Sequence, residues 1–569
     1  MQAYMRRLGI PAFCGLLMGL VFWWQSLTPT LIPRTWGMQV GISVACVAIG
    51  YGLGTLLWGG ARRLFEPLNR LPGTVIRQVG WAVLVAAWFA GLTFGAARWL
   101  GWQNAQRDLM GMEQLVGVDA VLVSTLSVLI GLVLLIAARV IATGLAASKR
   151  FVARRVSLLV WAPLAALVIV GLGVVLSSGW VLRALTVAAN SVHEPANEET
   201  TEGVVPPQSS SVSGSSGSFV GWDTLGRMGR DFVAAVTTAR ELEMFHGADS
   251  EISEPVRVYV GLRSAESLAR RAQLAVRELE RAGGFERKVL VVWVPTGTGW
   301  MIPKAAMALE QLHRGDTAIV AIQYSFLPSL LAVFLDAGLA NEAGVTLFDA
   351  VHARWSQLPP DRRPKLLLFG KSLGTAGVEA SFVGPDAASS VANMMARTDG
   401  VLLAGAKHSN PILSQLTRER DPTSPAWQPV FDGGRSVRFL NRHPHQPALS
   451  NEWVAPRIAY LQHPADPVPL WSVEALWWPP EWMEQPRGFD MPQGLRWFPI
   501  VSALQAVADM LDQLGPPPGF GHDYSTEYVK GWASVLPPDG WTNADTERLQ
   551  KFIDAAAEDS EAAEDAEEM

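Results

Sequence analysis

The hydrophobic pattern divides the chain in two. Up to about residue 185 the apolar residues come in unbroken runs, at about 9–27, 37–58, 79–97, 118–138 and 157–179. Each run reaches or approaches the ~20 residues needed to cross a bilayer core of ~30 Å, so about five membrane helices are expected. Pro11 and the polar pair Gln25-Ser26 shorten the first run, for which a signal peptide is the competing reading. Trp23, Trp24 and Gln25 follow its core without the small residues of a cleavage site, and the two tryptophans suit a membrane interface. From 221 to about 555 the runs shorten. Strand-like stretches near 256–261, 289–294, 317–323, 365–370, 400–405 and 457–462 alternate with helix-like stretches. That alternation predicts a mainly parallel sheet covered by helices on both faces. Between the halves, 186–220 carries Glu198-Glu199-Thr200-Thr201-Glu202, Pro206-Pro207 and Gly-Ser repeats, a composition that predicts a flexible linker or surface loop. The acidic, alanine-rich end, 556–569, reads as a disordered tail.

Charge sharpens the division. Residues 1–185 hold 15 basic and 4 acidic side chains, a net of +11, leaving −17 for the remainder of a chain whose total is −6. With the N terminus inside, eleven basic residues, from Arg6 and Arg7 to Arg154 and Arg155, fall on the inner side of five spans. Four, Arg34, Arg98, Arg107 and Arg183, fall outside. The positive-inside rule therefore predicts a cytoplasmic N terminus and an extracytoplasmic C-terminal domain; an even number of spans would reverse the latter. A part so acidic has no nucleic-acid footprint, and anionic headgroups repel it except at local apolar patches. Cys14 and Cys46 both lie in predicted membrane helices, which leaves the C-terminal domain without disulfides or thiolate metal ligands. No metal motif, cofactor loop or repeat stands out, so no cofactor is expected.

The strongest chemical signal is Gly370-Lys371-Ser372-Leu373-Gly374, directly after the apolar run Lys365–Phe369 and ahead of a stretch of small residues. Strand, sharp turn and helix form the setting of a serine nucleophile elbow, which needs glycine on both sides because the turn is strained and crowded. A phosphate-binding loop would need glycine where Lys365 stands, which excludes the nucleotide reading. In this architecture an acid and then a histidine follow the serine along the chain. The strand-like Arg457–Gln462 ends in His463-Pro464-Ala465-Asp466-Pro467, which places Asp466 just past a strand; a plain turn residue is the alternative there. His522, in Gly519-Phe520-Gly521-His522-Asp523-Tyr524, is then the histidine left downstream, and its alternative is a surface-loop role. In these roles His522 takes the proton from Ser372, and Asp466 orients the imidazole and stabilises its charged form. An oxyanion hole needs a loop whose backbone N–H groups approach a developing charge. The run Val289–Val294 leads into one, with Thr298 and Gly299 beside Trp300, and Leu373 after the nucleophile supplies the second donor. Between Asp466 and His522 lie Trp471, Trp477, Trp478, Trp482 and Trp497. With Trp300 they are candidates for an acyl pocket, a lid or a lipid contact, against ordinary packing under a long excursion.

Taken together, Ser26-Leu27-Thr28-Pro29-Thr30-Leu31-Ile32-Pro33-Arg34, TGTGW at 296–300, GKSLG at 370–374, YLQHPADPV at 460–468 and GFGHDY at 519–524 resemble a poorly characterised bacterial family. It is the family of membrane-embedded alpha/beta-hydrolases with an N-terminal multi-helix domain. The resemblance spans both halves of the chain and implies Ser372, Asp466 and His522 as the triad positions. The expected organisation is a transmembrane helical domain over 1–185, the linker over 186–220, an α/β-hydrolase domain over 221–555 and the tail. The expected function is that of a multi-pass enzyme of the bacterial plasma membrane, a carboxylesterase or lipase acting on an ester or acyl-lipid substrate in contact with membrane lipids. The same triad would serve an acyltransferase to an envelope lipid or glycan. A non-catalytic binding or scaffold protein is the reading of another class. Transport is disfavoured by the scarcity of ionisable residues inside the spans. Oligomeric state is not legible.

Overall fold

A computed structural model describes residues 10–65, 73–155, 191–327, 338–443, 449–484, 486–512 and 515–568. The chain forms two compact units that interleave along the sequence. One comprises Met1–Ser177, Pro464–Pro467 and Trp471–Asp523; the other comprises Ser178–His463, Val468–Leu470 and Tyr524–Met569.

The first unit is helical. Its helices are α1 (Ile10–Ser26), α2 (Trp36–Leu64), α3 (Thr74–Met110) and α4 (Gly117–Arg155). Thr35 caps α2 by accepting a hydrogen bond from the Met38 N–H at 3.3 Å, and Gly111, at φ 68°, closes α3. Among the described residues, three helical stretches are long and apolar enough to cross a membrane: Trp36–Leu64, Thr74–Met110 and Gly117–Ile141. α1, with 17 residues, is shorter, and the expected span at 157–179 lies outside the described residues. Trp23 and Leu27 of the first hairpin pack with Val40, Val44, Val47, Ala96, Trp99 and Val123. A second cluster brings Val501 and Ala508 of the helix Val501–Leu511 against Phe22, Ile42 and Cys46. The long excursion after Asp466 therefore packs with the apolar helices.

The second unit is built on seven parallel strands: β1 (Val256–Val260), β2 (Val289–Val294), β3 (Thr317–Ile322), β4 (Lys365–Lys371), β5 (Gly400–Ala404), β6 (Val437–Leu440) and β7 (Arg457–Leu461). Their order across the sheet is β1-β3-β2-β4-β5-β7-β6. β1, β2, β3 and β5 are buried at every residue, as expected where helices cover both faces of a parallel sheet. The helices Leu268–Arg281, Leu339–Ser356 and Leu373–Ala380 form one packed group; Pro303–Leu312, Tyr528–Val535 and Asn543–Glu568 form another. Six of the strands are those the alternation predicts. The seventh, β6, has only four residues, is interrupted by Arg438 and follows Gly433-Gly434, so no apolar run announces it.

Two stretches depart from their composition. The serine-rich part of 186–220, expected as a flexible linker, is packed in places: Val212 is fully buried and bridges Arg257, while Glu278 accepts from Ser218 Oγ at 2.5 Å and the Phe219 N–H at 2.9 Å. A buried carboxylate distant in sequence satisfies donors that water would otherwise hold. The acidic tail expected to be disordered continues the helix Asn543–Glu568. Alanine and glutamate are strong helix formers, and no glycine or proline intervenes.

Candidate active site

The elbow is the centre of the second unit. β4 lies between β2 and β5, and Ser372 follows its last residue as N-cap of the helix Leu373–Ala380. Its backbone is held at φ 52°, ψ −119°, a costly conformation for a residue with a Cβ. Both ends of the turn are tied: the Ser372 N–H donates to Ala404 O at 2.9 Å, and Ser372 O accepts from the Thr375 N–H at 3.1 Å and Thr375 Oγ1 at 2.6 Å. The flanking glycines are sterically required. A Cβ at Gly370 would lie 2.7 Å from the Gly374 carbonyl, and one at Gly374 would lie 2.2 Å from Val294 O. Side chains there would push the helix off β2 and β4, relaxing the turn that exposes the serine.

The glycine-rich loop stands beside the elbow because Val294 and Gly370 are register partners on β2 and β4. The Gly299 N–H donates to Thr296 O at 2.9 Å, and Gly299 O accepts from Tyr259 Oη at 2.9 Å. Gly299, expected as an oxyanion donor, thus has its N–H engaged in the turn. The Thr298 N–H makes no hydrogen bond among the described residues, while the Thr298 carbonyl is held by Gln323 Nε2 at 3.2 Å. Leu373 heads a helix, so its N–H has no intrahelical acceptor. The ammonium of Lys371 lies 5.3 Å from the Trp300 ring centroid and links the elbow to this loop.

Behind the elbow is a buried titratable group that the motif did not indicate. Glu379, on the same helix as Leu373, accepts from the Ile412 N–H at 2.8 Å, at the start of the helix Pro411–Arg418, and from Tyr460 Oη at 3.0 Å. Asn410 donates to Thr375 Oγ1 at 2.8 Å, which joins this region to the carbonyl of Ser372. Burial raises the Glu379 carboxyl from its ordinary 4.5 to about 7, against the lowering effect of those donors. The folded chain then keeps a proton that the unfolded chain has lost between pH 4.5 and about 7. Stability therefore falls as pH rises through that window and levels off above it. Glu379→Gln retains the shape and an acceptor without the charge. It should unfold at a higher temperature than the wild type at pH 8, with the difference shrinking towards pH 4.5, as read by thermal melts across pH. A difference that does not change with pH would contradict the buried proton.

The acid and the histidine belong to the first unit. His522 Nδ1 donates to Asp466 Oδ2 at 2.7 Å, and the pair is buried, with Asp466 fully enclosed. Two neighbours, Ala465 and Phe520, pack together on Met110 at the end of α3, while Gly521 lies against Pro516 and Ile32. The loop that carries His522 is thus supported by the helical unit. Deeper in that unit, Arg34 Nε donates to Asp509 Oδ1 at 2.9 Å with both side chains fully buried. Asp509 also accepts from Thr30 Oγ1 at 3.0 Å and the Leu31 N–H at 3.1 Å, and Gln505 Nε2 donates to Ser26 O and Thr28 O at 3.0 and 3.2 Å. The segment 26–34 therefore locks the excursion onto the helices. Arg34 is visible in the sequence, but its partner is 475 residues away.

The remaining expected residues separate. Trp471 is partly buried, its Nε1 donating to Ala503 O at 3.3 Å, whereas Trp477 and Trp478 are 61% and 71% exposed. His463 is a buried packing residue, stacked on Tyr524 and 3.2 Å from Glu527 Oε1. Among the described residues no group of three or more His, Cys, Asp or Glu could hold a metal ion.

Residues 256–549 match the model of the Alpha/beta-hydrolase family, and residues 27–236 match the model of the Alpha/beta-hydrolase family N-terminus. No curated protein and no solved structure matches the chain.

Proposed function

The chain belongs to the alpha/beta-hydrolase family, and on that premise we propose that it is a membrane-anchored serine hydrolase of carboxylic esters, a carboxylesterase or lipase. The observation that carries this reading is Ser372 at positive φ on the elbow, followed by the helix-heading N–H of Leu373 and flanked by the Thr298 loop. The His522–Asp466 hydrogen bond supports it from the other unit. In the proposed reaction Ser372 Oγ attacks the ester carbonyl as its proton passes to His522. The Thr298 and Leu373 N–H groups hold the oxyanion, a contribution on the order of 3 kcal/mol for each donor. The C–O bond to the alcohol breaks, and the alcohol leaves with the proton from His522. Water, deprotonated by His522, then attacks the acyl-serine ester; the acid is released and Ser372 regains its proton. Asp466 orients the imidazole and stabilises its charged form. The proposed setting is a bacterial plasma membrane with the N terminus in the cytoplasm and this chemistry outside it.

The test is labelling of the detergent-solubilised chain by a fluorophosphonate probe, which phosphonylates an activated serine. Wild type should label and Ser372→Ala should not. A folded wild type that remains unlabelled overturns the hydrolase reading.

A further inference from the structure

Within the excursion between Asp466 and His522, the helix Val501–Leu511 has an outward face that is unusual for water. In the helix Val501–Leu511, the single charged residue is Asp509, and it is turned inward onto Arg34; Gln505 is turned inward as well. The positions left facing outward in part or fully are Ser502, Val507, Met510 and Leu511, while the partly buried Leu504 packs on the inner cluster. A surface helix in water ordinarily carries charge on that face. Its inner face packs on α1 and α2, reaching Phe22, Ile42 and Cys46. Ile42 and Cys46 are six and ten residues past Trp36, hence about 9 and 15 Å along α2 at 1.5 Å per residue. α2 is itself long and apolar enough to span a bilayer. A helix on its flank at that depth meets acyl chains on its other side.

The segment leading into this helix continues the same surface. The Ile500 N–H donates to Leu476 O and Trp497 Nε1 to Ala475 O, both at 2.9 Å, fastening the turn Val473–Leu476 to the start of the helix. From that turn Val473, Trp477 and Trp478 project as exposed apolar side chains. Paired tryptophans with an apolar body and a polar N–H suit the headgroup boundary.

We propose that the turn with its exposed Val473, Trp477 and Trp478 and the helix Val501–Leu511 form an interfacial membrane element, whose occupant is the lipid of the leaflet on the Trp36 side. The helix Val501–Leu511 lies among the upper acyl chains, and Trp477 and Trp478 anchor at the headgroups. The buried Arg34–Asp509 pair lets an otherwise costly charge sit at that depth. Resting on the hydrolase reading, the substrate class is an ester that resides in the bilayer and enters laterally.

The experiment uses the full chain with Cys14→Ala and Cys46→Ala, reconstituted in nanodiscs of phosphatidylcholine and phosphatidylglycerol. Single cysteines at Trp478→Cys, Val507→Cys and, as a solvent reference, Glu266→Cys carry an environment-sensitive nitrobenzoxadiazole label. Doxyl-labelled phosphatidylcholine should quench the label at 478 and 507 on the order of two-fold, with blue-shifted emission, and leave 266 unchanged. Water-like emission without quenching at 478 or at 507 overturns the proposal. The two positions are separate variants on one surface, so misfolding of one still leaves a reading from the other. No turnover is needed: loss of the hydrolase reading leaves this result standing, and lack of quenching leaves the hydrolase reading standing.

Discussion

Asp466→Asn should lower kcat for a short-chain soluble ester at pH 7 by on the order of 10⁴, with the protein still folded, and His522→Ala should lower it at least as far, if the proposed triad is at work. The argument starts from the hydrogen bond of 2.7 Å between His522 Nδ1 and Asp466 Oδ2. A carboxylate can only accept, so it keeps the proton on Nδ1 and leaves Nε2 to act as base in the proposed reaction. Asparagine in the same enclosed place can offer an N–H instead, favouring the other tautomer, and it supplies no negative charge for the imidazolium that forms with the acyl-enzyme. The buried setting magnifies both losses, because water does not screen the pair. Rates over pH 5–9, with the amount of folded protein checked by gel filtration in detergent, measure the effect. Asp466→Asn retaining more than about a tenth of wild-type kcat would remove Asp466 from the proposed triad.

Arg34→Gln should destabilise the helical unit by about 3–5 kcal/mol, the cost of leaving one member of a buried ion pair alone. Both side chains are fully enclosed, and Arg34 further donates from Nη2 to Thr30 Oγ1 at 2.8 Å and to Gln505 O at 3.2 Å. Without the guanidinium, Asp509 must stay charged in an apolar surrounding or take up a proton. The double variant Arg34→Gln/Asp509→Asn removes both charges and leaves an amide oxygen to accept from the Leu31 N–H, which Asp509 Oδ2 holds in the wild type. It should recover most of the loss. Apparent unfolding temperatures in detergent should therefore rank wild type above the double variant and the double well above the single. A single variant that melts with the wild type would mean that the pair is screened and that the 26–34 segment does not hold the excursion in place.

Both expectations rest on features that the chain reveals unequally. The strands β1–β5 and β7 are legible because strands buried on two faces must be continuously apolar, and helices that cross a bilayer must be apolar for about 20 residues. The elbow is legible for a local reason: Gly370 and Gly374 stand within two residues of Ser372, and the clashes that require them involve the turn and its immediate neighbour β2. Gly299 is legible only in part, since a glycine-rich loop shows that N–H groups are accessible but not which of them the turn consumes. Glu379 gave no signal, because one glutamate in a short helix looks the same whether it faces water or the Ile412 N–H and Tyr460 Oη.

By itself, then, the sequence determined the two kinds of structure, where six of the seven strands lie along the chain, and the local geometry that requires glycine around Ser372, because these follow from periodicity and near-neighbour sterics; the order of the strands across the sheet came from the fold. Only the tertiary structure decided that the excursion after Asp466 folds with the apolar helices, that Arg34 finds Asp509, and that the pair Asp466 and His522, expected from the chain order, is assembled within that unit. Those partners are separated by 475 and 56 residues. A contact over such distances is selected by burying charge and apolar area together, a property of the assembled unit that no window of the chain contains.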